Sequence, residues 1–529
     1  MVAAVVFARH RGLPASRSLE RYLSSRSAVV VVSALTSLVV WFVWGSMRAP
    51  PVIHDEAAYL FQAKLFARGH WAAPTPALPE FFEQFHVMIV PTWASKYPPG
   101  HSLLLSPGVA LGLPGLIPLT LSGVTGGLVF VLARRLSGVW VALLTWVFWA
   151  TAWGNLHYRP TYFSEVTTSA LLLGAWLALL RWRDSGRPHW LAATAIFIAW
   201  TAITRPLTAL AVGLPVVPLV LLIARKQRDW RQVVVAGVLG VLIVGVIPMW
   251  SAETTGDWTE TPQVLYAKTY LPFDLPGFGN VTTVGQRRGP PELPQFDAFY
   301  RSIRSAHTVK GLPTTLVDRL GGIAFDMWGG WRAALLPFFF VGLFFISAEA
   351  WFAVASSALV VAAYLTYHHH PFHTRYYLEL APVLAFVCMA GFMATVRKLT
   401  DETADSSGSR SGVERSATVA LFACILAWWP AWFSIRRARI LEQGHMTPVS
   451  RFLASMNTIS DDKAMVFLRY GEHPDIYRSL MSNDPNLESA RLWIVYDRGT
   501  ANATIMRLAP DRKPYAYDVE AGVLTPGAP

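Results

Sequence analysis

The sequence is short of charge and nearly free of cysteine. Only 15% of its 529 residues are Asp, Glu, Lys or Arg, and it holds 2 Cys. A chain that is also 53% hydrophobic, with 22 Trp and a mean hydropathy of +0.37, lacks the polar surface a soluble protein of this size needs and reads as a polytopic membrane protein. Cys388 and Cys424 both lie inside apolar runs, so neither a disulfide framework nor a cysteine metal cluster is implied. No tract interleaves basic and aromatic residues. The formal charge of +12 therefore does not point to nucleic acid; much of the excess sits in short loops beside apolar runs, where it sets membrane orientation. The middles of those runs are almost free of charge and no clear internal repeat is present, which disfavours a transporter or lipid flippase.

What the sequence does have is a series of apolar runs. Residues 1–26 carry Arg9, Arg11, Arg17, Arg21 and Arg26, a cytoplasmic N-terminal segment, and give way to the apolar 27–46, long enough to cross as a helix and without a cleavage pattern. Further spans are expected near 116–133, 138–155, 166–181, 190–204, 207–224, 233–250, 334–347, 350–367, 379–396 and 417–435, about eleven in all. Short basic loops at 134–135, 181–187, 225–231 and 397–415 alternate with loops at 47–115, 156–165, 205–206, 251–333 and 368–378, which places the second set outside. Residues 103–115, broken by Pro107 and Pro114, read as a helix at the interface or entering the membrane partway. The membrane domain thus covers 27–435, with large outer loops at 47–115 and 251–333. Residues 436–529 form a small soluble α/β domain outside, with strands at 465–468, 492–496 and 515–519 and a helix at 475–481. Residues 400–417 read as a flexible connection.

Ionisable residues gather at the outer ends of the spans. Asp55 and Glu56 follow the first span, Lys96 opens the Lys96-Tyr97-Pro98-Pro99 element, and His157, Arg159 and Glu165 lie in the next outer loop. Arg205 and the run from His368 through Arg375, Tyr376 and Tyr377 to Glu379 complete the set. Carboxylates and cations converging at one membrane face suit a reaction on an anionic lipid whose headgroup projects there. Alone, Asp55 and Glu56 could equally serve only the N-terminus of the next helix, Lys96 could snorkel, and Arg205-Pro206 could mark a loop. His368, His369 and His370 are consecutive and aim in different directions, so they read as an interfacial loop rather than a metal site. The aromatic residues of 251–333 suit either sugar stacking or a belt at headgroup level. A non-catalytic membrane scaffold would have no reason to gather acids and cations at one level.

Taken in order, Asp55-Glu56, Lys96-Tyr97-Pro98-Pro99, Arg159 with Glu165, Arg205-Pro206 and Arg375-Tyr376-Tyr377 resemble the GT-C glycosyltransferases, most closely the family 39-like group of protein O-mannosyltransferases and aminoarabinose transferases, over roughly the first 400 residues. The resemblance implies transfer of a sugar from a polyprenyl-phosphate carrier to a lipid, polysaccharide or protein hydroxyl on the non-cytoplasmic face of the cell membrane, with inversion. It implies Asp55 as the base, Glu56 as its partner and Glu165 as the acid of the second loop, where relatives often carry Asp. Lys96 and Arg375 would bind the carrier phosphate, with Arg159 and Arg205 as further candidates and Tyr59 and Tyr376 beside them. A divalent cation near Asp55 and Glu56 is left open, since some GT-C enzymes use one and others do not.

Overall fold

The computed structural model describes residues 15–227, 229–287, 289–401, 410–471, 475, 477 and 480–527. The basic segment before residue 15, the middle of the expected connection at 402–409 and most of 472–479 lie outside the described residues.

After α1 (Ala15–Ser24), α2 (Arg26–Trp44) is the first helix able to cross a bilayer. Ser25 caps it by accepting the Ala28 N–H, and Gly45, left-handed at φ 84°, ends it. The first loop holds α3 (His54–Ala67), the short strands β1 (Ala73–Pro74), β2 (Val87–Met88) and β3 (Thr92–Ser95), and α4 (Pro99–Ala110). Then come α5 (Leu116–Ser137), α6 (Val139–Ala150), α7 (Trp153–Tyr158), α8 (Ser164–Ser185), α9 (Pro188–Ala202), α10 (Pro206–Gln227), α11 (Trp230–Val244) and α12 (Val246–Thr255). The second large loop folds into α13 (Pro262–Tyr270), α14 (Leu293–Ala306) and α15 (Leu312–Trp328), and α16 (Leu336–Leu343), α17 (Ala348–Tyr364), α18 (Ala381–Asp401) and α19 (Arg410–Asn457) return to apolar sequence. The C-terminal part is β4 (Ala464–Arg469), β5 (Leu492–Tyr496), α20 (Asn502–Leu508), β6 (Lys513–Asp518) and β7 (Val523–Pro526).

The chain is an integral membrane protein. Among the described residues, Arg26–Trp44, Leu116–Ser137, Pro206–Lys226, Trp230–Thr255, Thr374–Leu399 and Ala417–Asn457 are long and apolar enough to cross, making 6 spans, or 7 if α16 and α17, bent by 118°, form one broken span. Each of the expected spans falls on a helix. However, α6 and α9 are only 12 and 15 residues long, and α8 carries Glu165, Arg181, Arg183 and Asp184 at its ends, so length and composition alone count fewer than eleven. Small residues let the first two spans meet: Gly123 and Gly127 of α5 face Ser37 and Ser33 of α2 so closely that a Cβ on either would collide.

The helix expected at 103–115 is α4, Pro99–Ala110. The helix starts earlier, at Pro99, because proline is accommodated in the first turn, and its buried face includes His101, Ser102 and Leu105. At the other end of the chain, position 436 lies inside the 48-residue α19. At 1.5 Å per residue that helix is roughly 70 Å long, more than twice the hydrocarbon thickness. Its last turns, with Val449, Phe452 and Met456, leave the apolar stretch and pack on one face of the C-terminal sheet.

That sheet has the order β5-β4-β6-β7, with β4 parallel to both β5 and β6 and β7 antiparallel at the edge. Parallel strands covered on both faces read as continuous apolar runs, as in Met465-Val466-Phe467-Leu468. One face takes the end of α19. The other packs Met465, Phe467 and Val495 against Phe61, Phe81, Phe82 and Trp93 of the first loop. Truncating a fully buried ring such as Phe467 costs about 3–5 kcal/mol, so the domain is bound firmly to that loop. Strands appear where expected, whereas the described residues among 475–481 are not helical. The Asp475 carboxylate accepts the Tyr477 N–H at 3.0 Å, a local turn that competes with helix formation.

Candidate active site

A cavity of about 730 Å³ lies where the first loop, the second large loop and the 365–378 segment meet. Asp55, Glu56, Tyr59, Lys96, Glu165, Arg205, Arg375 and Tyr376 all line it, with Asp55 and Arg375 separated by 320 positions. Arg159 does not. It follows the last turn of α7 and turns back, with Nε donating to Asn155 Oδ1 at 3.0 Å and the guanidinium 4.6 Å from the Trp149 ring centroid. There it borders a separate small void beside α2, and burial pushes its pKa down to about 9.

Local chemistry at the start of α3 sets Asp55 and Glu56 apart. Glu56 Oε2 accepts the Val52 and Ile53 N–H groups at 2.9 and 3.1 Å, and Oε1 accepts the Tyr162 N–H at 2.9 Å. Reaching back to the residues before the helix is what an acid at its third position does. All three contacts are backbone amides, so Glu56 ties the segment before α3 to the turn between α7 and α8. Burial raises its pKa against the pull of those amides.

Asp55 is held by side chains. Oδ1 accepts the Tyr97 hydroxyl at 2.5 Å and lies 3.3 Å from Arg375 Nη2, while Oδ2 lies 3.9 Å from His54 Nδ1 and 3.9 Å from His86 Nε2. Burial alone would raise its pKa, but Arg375, the two imidazoles and the Tyr97 hydrogen bond together hold the carboxyl far below the usual carboxylate range. Arg375 also stacks on Phe163, 4.4 Å to the centroid, and its Nε is buried without a partner.

The other cations are already paired. Lys96 Nζ lies 2.5 Å from Asp274 Oδ2, whose other oxygen accepts the Tyr367 hydroxyl at 2.7 Å. Arg205 sits between two acids, 2.5 Å from Glu165 Oε1 and 3.5 Å from Glu379 Oε1, and its Nη2 donates to the Tyr364 hydroxyl at 2.5 Å. Tyr376 lies between the cations, its ring 5.3 Å from the Arg375 guanidinium and 5.5 Å from that of Arg205. Tyr59 donates to Ser164 Oγ at 3.1 Å, and Ser164 donates to Glu165 Oε2 at 3.2 Å. Gly100 fixes the spacing of this half: its N–H donates to Ile203 O at 2.8 Å, and a Cβ there would run into Ile203 and Thr204. Only glycine lets the Lys96-Tyr97-Pro98-Pro99 element approach the turn that bears Arg205.

Sequence reasoning missed several members of the site. Tyr97 was visible only as part of its motif. His54 and His86 sit against Asp55, and Asp274 supplies the counter-charge for Lys96; the run from His368 to Glu379, gathered with the acids and cations in the sequence, puts His368, His369, His370 and His373 on the cavity and Glu379 beside Arg205. Asp274 and His86 carry no sequence signal, whereas Glu379 closes the same run as Arg375. Burial pushes the His54 pKa down to about 4 and His86 well below its ordinary value, keeping both rings neutral. His54, Asp55 and His86 each offer an atom within 4.8 Å of the others, and both His54 nitrogens and His86 Nδ1 are buried without partners. Neutral imidazoles and a carboxylate with unfilled donors fit a divalent cation.

No family model matches this sequence, and no curated protein matches it. Among solved structures, apo ArnT from Cupriavidus metallidurans aligns over 94% of this chain and 93% of its own, at 15% identity and a TM-score of 0.50. The same protein bound to undecaprenyl phosphate aligns over 94% and 91%, at 15% identity and a TM-score of 0.47. The oligosaccharyltransferase AglB from Archaeoglobus fulgidus, in complex with an inhibitory peptide and a dolichol-phosphate, aligns over 83% and 62%, at 13% identity and a TM-score of 0.36. The alignment with apo ArnT shows that this chain shares the fold of that protein.

Proposed function

We propose that this chain is a membrane glycosyltransferase that moves a sugar from a polyprenyl-phosphate carrier to an acceptor hydroxyl on the non-cytoplasmic face, with inversion. The observation that carries this reading is the convergence of Asp55, Glu165, Lys96, Arg205 and Arg375 on one cavity at the ends of apolar helices. An apolar groove lined by Leu172, Trp176, Ile198, Val212, Phe352 and Val383 reaches Glu379, whose carboxylate Arg205 shares with Glu165. A groove of that composition suits an isoprenoid chain whose phosphate ends among the cations.

In the reaction, the acceptor oxygen attacks the anomeric carbon from the face opposite the carrier phosphate. The bond from that carbon to the phosphate oxygen breaks, its electron pair leaves with the phosphate, and the acceptor proton passes to the Asp55 carboxylate. Asp55 paired to Arg375 is a weak base. An arriving phosphate competes for Arg375, whose Nε has no other partner, and as the cation turns to the phosphate the influence that depresses the Asp55 pKa is withdrawn. Donor binding thus readies the base. Glu165 is neutralised by Arg205 and serves better as an orienting group, through Ser164, for Tyr59. A divalent cation held by His54, Asp55 and His86 would supply Lewis-acid stabilisation of phosphate charge.

The test is incubation of the purified protein with a panel of polyprenyl-phosphate sugars and lipid, glycan or peptide acceptors, read by mass spectrometry. Asp55→Asn should lower single-turnover transfer by roughly 100- to 10,000-fold while the protein still folds. Near-native transfer by Asp55→Asn with Glu56 also neutralised would remove Asp55 as the base. Absence of both transfer and donor hydrolysis across the panel would refute the reading as a whole.

A further inference from the structure

The cavity changes character from one side to the other. Asp55, Lys96, Glu165 and Arg205 are all buried, whereas Phe372 is 70% exposed and Tyr300, His370, His373 and Tyr477 are half-buried. These rings meet one another. Tyr477 lies 6.4 Å from Phe299 and 6.3 Å from His373, His370 stacks on Phe299 at 6.4 Å with 24° between planes, and Tyr300 lies 6.4 Å from His373.

Three distant segments build this wall: α14 of the second large loop, the turn at 368–373, and Tyr477 of the C-terminal domain. The first and third are fastened together. Glu292, at the start of α14, is buried and accepts the Tyr496 hydroxyl of β5 at 3.4 Å. The C-terminal domain is therefore part of the cavity wall, not an appendage beside it.

We propose that this wall is the acceptor subsite and that it takes a neutral carbohydrate, so the acceptor is a saccharide chosen in part by the C-terminal domain. This rests on the glycosyltransferase reading above. The faces of phenyl and phenol rings match the C–H faces of a pyranose or furanose, and a neutral imidazole such as His373 offers one donor and one acceptor to ring hydroxyls. Burial holds the His373 pKa down to about 3, so that ring is neutral near pH 7. The wall residues that line the cavity, Tyr300, His370, Phe372, His373 and Tyr477, include no lysine or arginine for a phosphorylated headgroup and no carboxylate for a basic peptide. The anion-binding groups lie instead on the buried side, where the carrier phosphate belongs.

The experiment uses the full-length protein in nanodiscs and saturation-transfer NMR with neutral trisaccharides of glucose, mannose, galactose and arabinose. A phosphorylated disaccharide and a Ser/Thr-rich peptide serve as comparators. At least one neutral trisaccharide should bind, with its Kd raised tenfold or more by Tyr477→Ala and by Phe372→Ala but not by Tyr477→Trp or Phe372→Tyr. Phe372 is exposed enough that its truncation leaves the fold intact, which equal thermal midpoints would verify. Binding of only the phosphorylated or peptide probe, no saccharide binding, or an unchanged Kd in both alanine variants overturns the proposal. Because binding is read without turnover, the two readings separate. A chain that binds saccharide through Tyr477 but transfers from no polyprenyl-phosphate sugar refutes the transferase reading, and one that transfers to peptide or lipid while ignoring saccharides refutes the subsite.

Discussion

Replacing Arg375 by Gln perturbs two things at once, and the structure says how each should respond. Arg375 Nη2 lies 3.3 Å from Asp55 Oδ1, and the side chain is only 15% exposed, so solvent screens the pair little. A hydrogen bond to a charged group is worth about 1.5–3 kcal/mol, so losing the guanidinium from the carrier phosphate should weaken donor binding by roughly 10- to 150-fold. Because such a cation acts in both the ground and the transition state, the effect falls on the donor KM more than on kcat. The second response is in pH. Asp55 must be ionised to accept a proton, so activity is lost as pH falls through its pKa in the donor-bound enzyme. The arginine is the largest influence lowering that pKa in the free enzyme, so without it the acid limb of kcat/KM moves to higher pH. Initial rates against donor concentration, taken from pH 4 upward in Arg375→Gln and Arg375→Lys, measure both. An unchanged donor KM together with an unmoved acid limb would refute the exchange of Arg375 between Asp55 and phosphate.

Other perturbations separate structural from chemical roles. Glu56→Gln keeps the shape but gives up the charge that three amide N–H groups address, so it should lower the thermal midpoint while changing single-turnover rate less than tenfold; a larger rate loss at unchanged stability would make Glu56 a chemical participant. Lys96→Gln removes the cation paired with the half-buried Asp274, which then keeps the Tyr367 hydrogen bond but no counter-charge, so stability should fall, and adding Asp274→Asn should restore it. A donor KM that stays raised in the double variant would give Lys96 a phosphate role beyond its pairing, and a normal one would leave it structural. Since α19 is far longer than the bilayer is thick, cysteines at Ser406 and Ser482 should label from opposite sides of the membrane, with Ser482 reached from outside in intact cells; equal labelling by an impermeant reagent would break the topology.

The charges were legible in the sequence because they follow apolar runs, and charge beside an apolar span is conspicuous. That is why Asp55, Glu165, Lys96, Arg205 and Arg375 could be named from order and spacing, and why all five meet in one cavity. Their partners were not legible. Asp274 lies among Pro272, Leu275 and Pro276 in a loop with no periodicity, and only the packing of that loop against Phe85 and Met88 of the first loop brings it to Lys96. Arg159 shows the converse failure: it has the right type of side chain at the right membrane level, but its backbone leaves α7 so that the guanidinium faces Trp149. Direction at a helix end depends on a few dihedral angles that composition does not encode. The pairing itself has a physical cause. A charge buried beside a membrane must be neutralised, so Lys96 is paired with Asp274 and Arg205 with Glu165 and Glu379, while Arg375 has taken the one carboxylate proposed as the base. A site prepared in this way has its base restrained until a competing anion arrives, and the anion that the transfer requires is the donor's own phosphate.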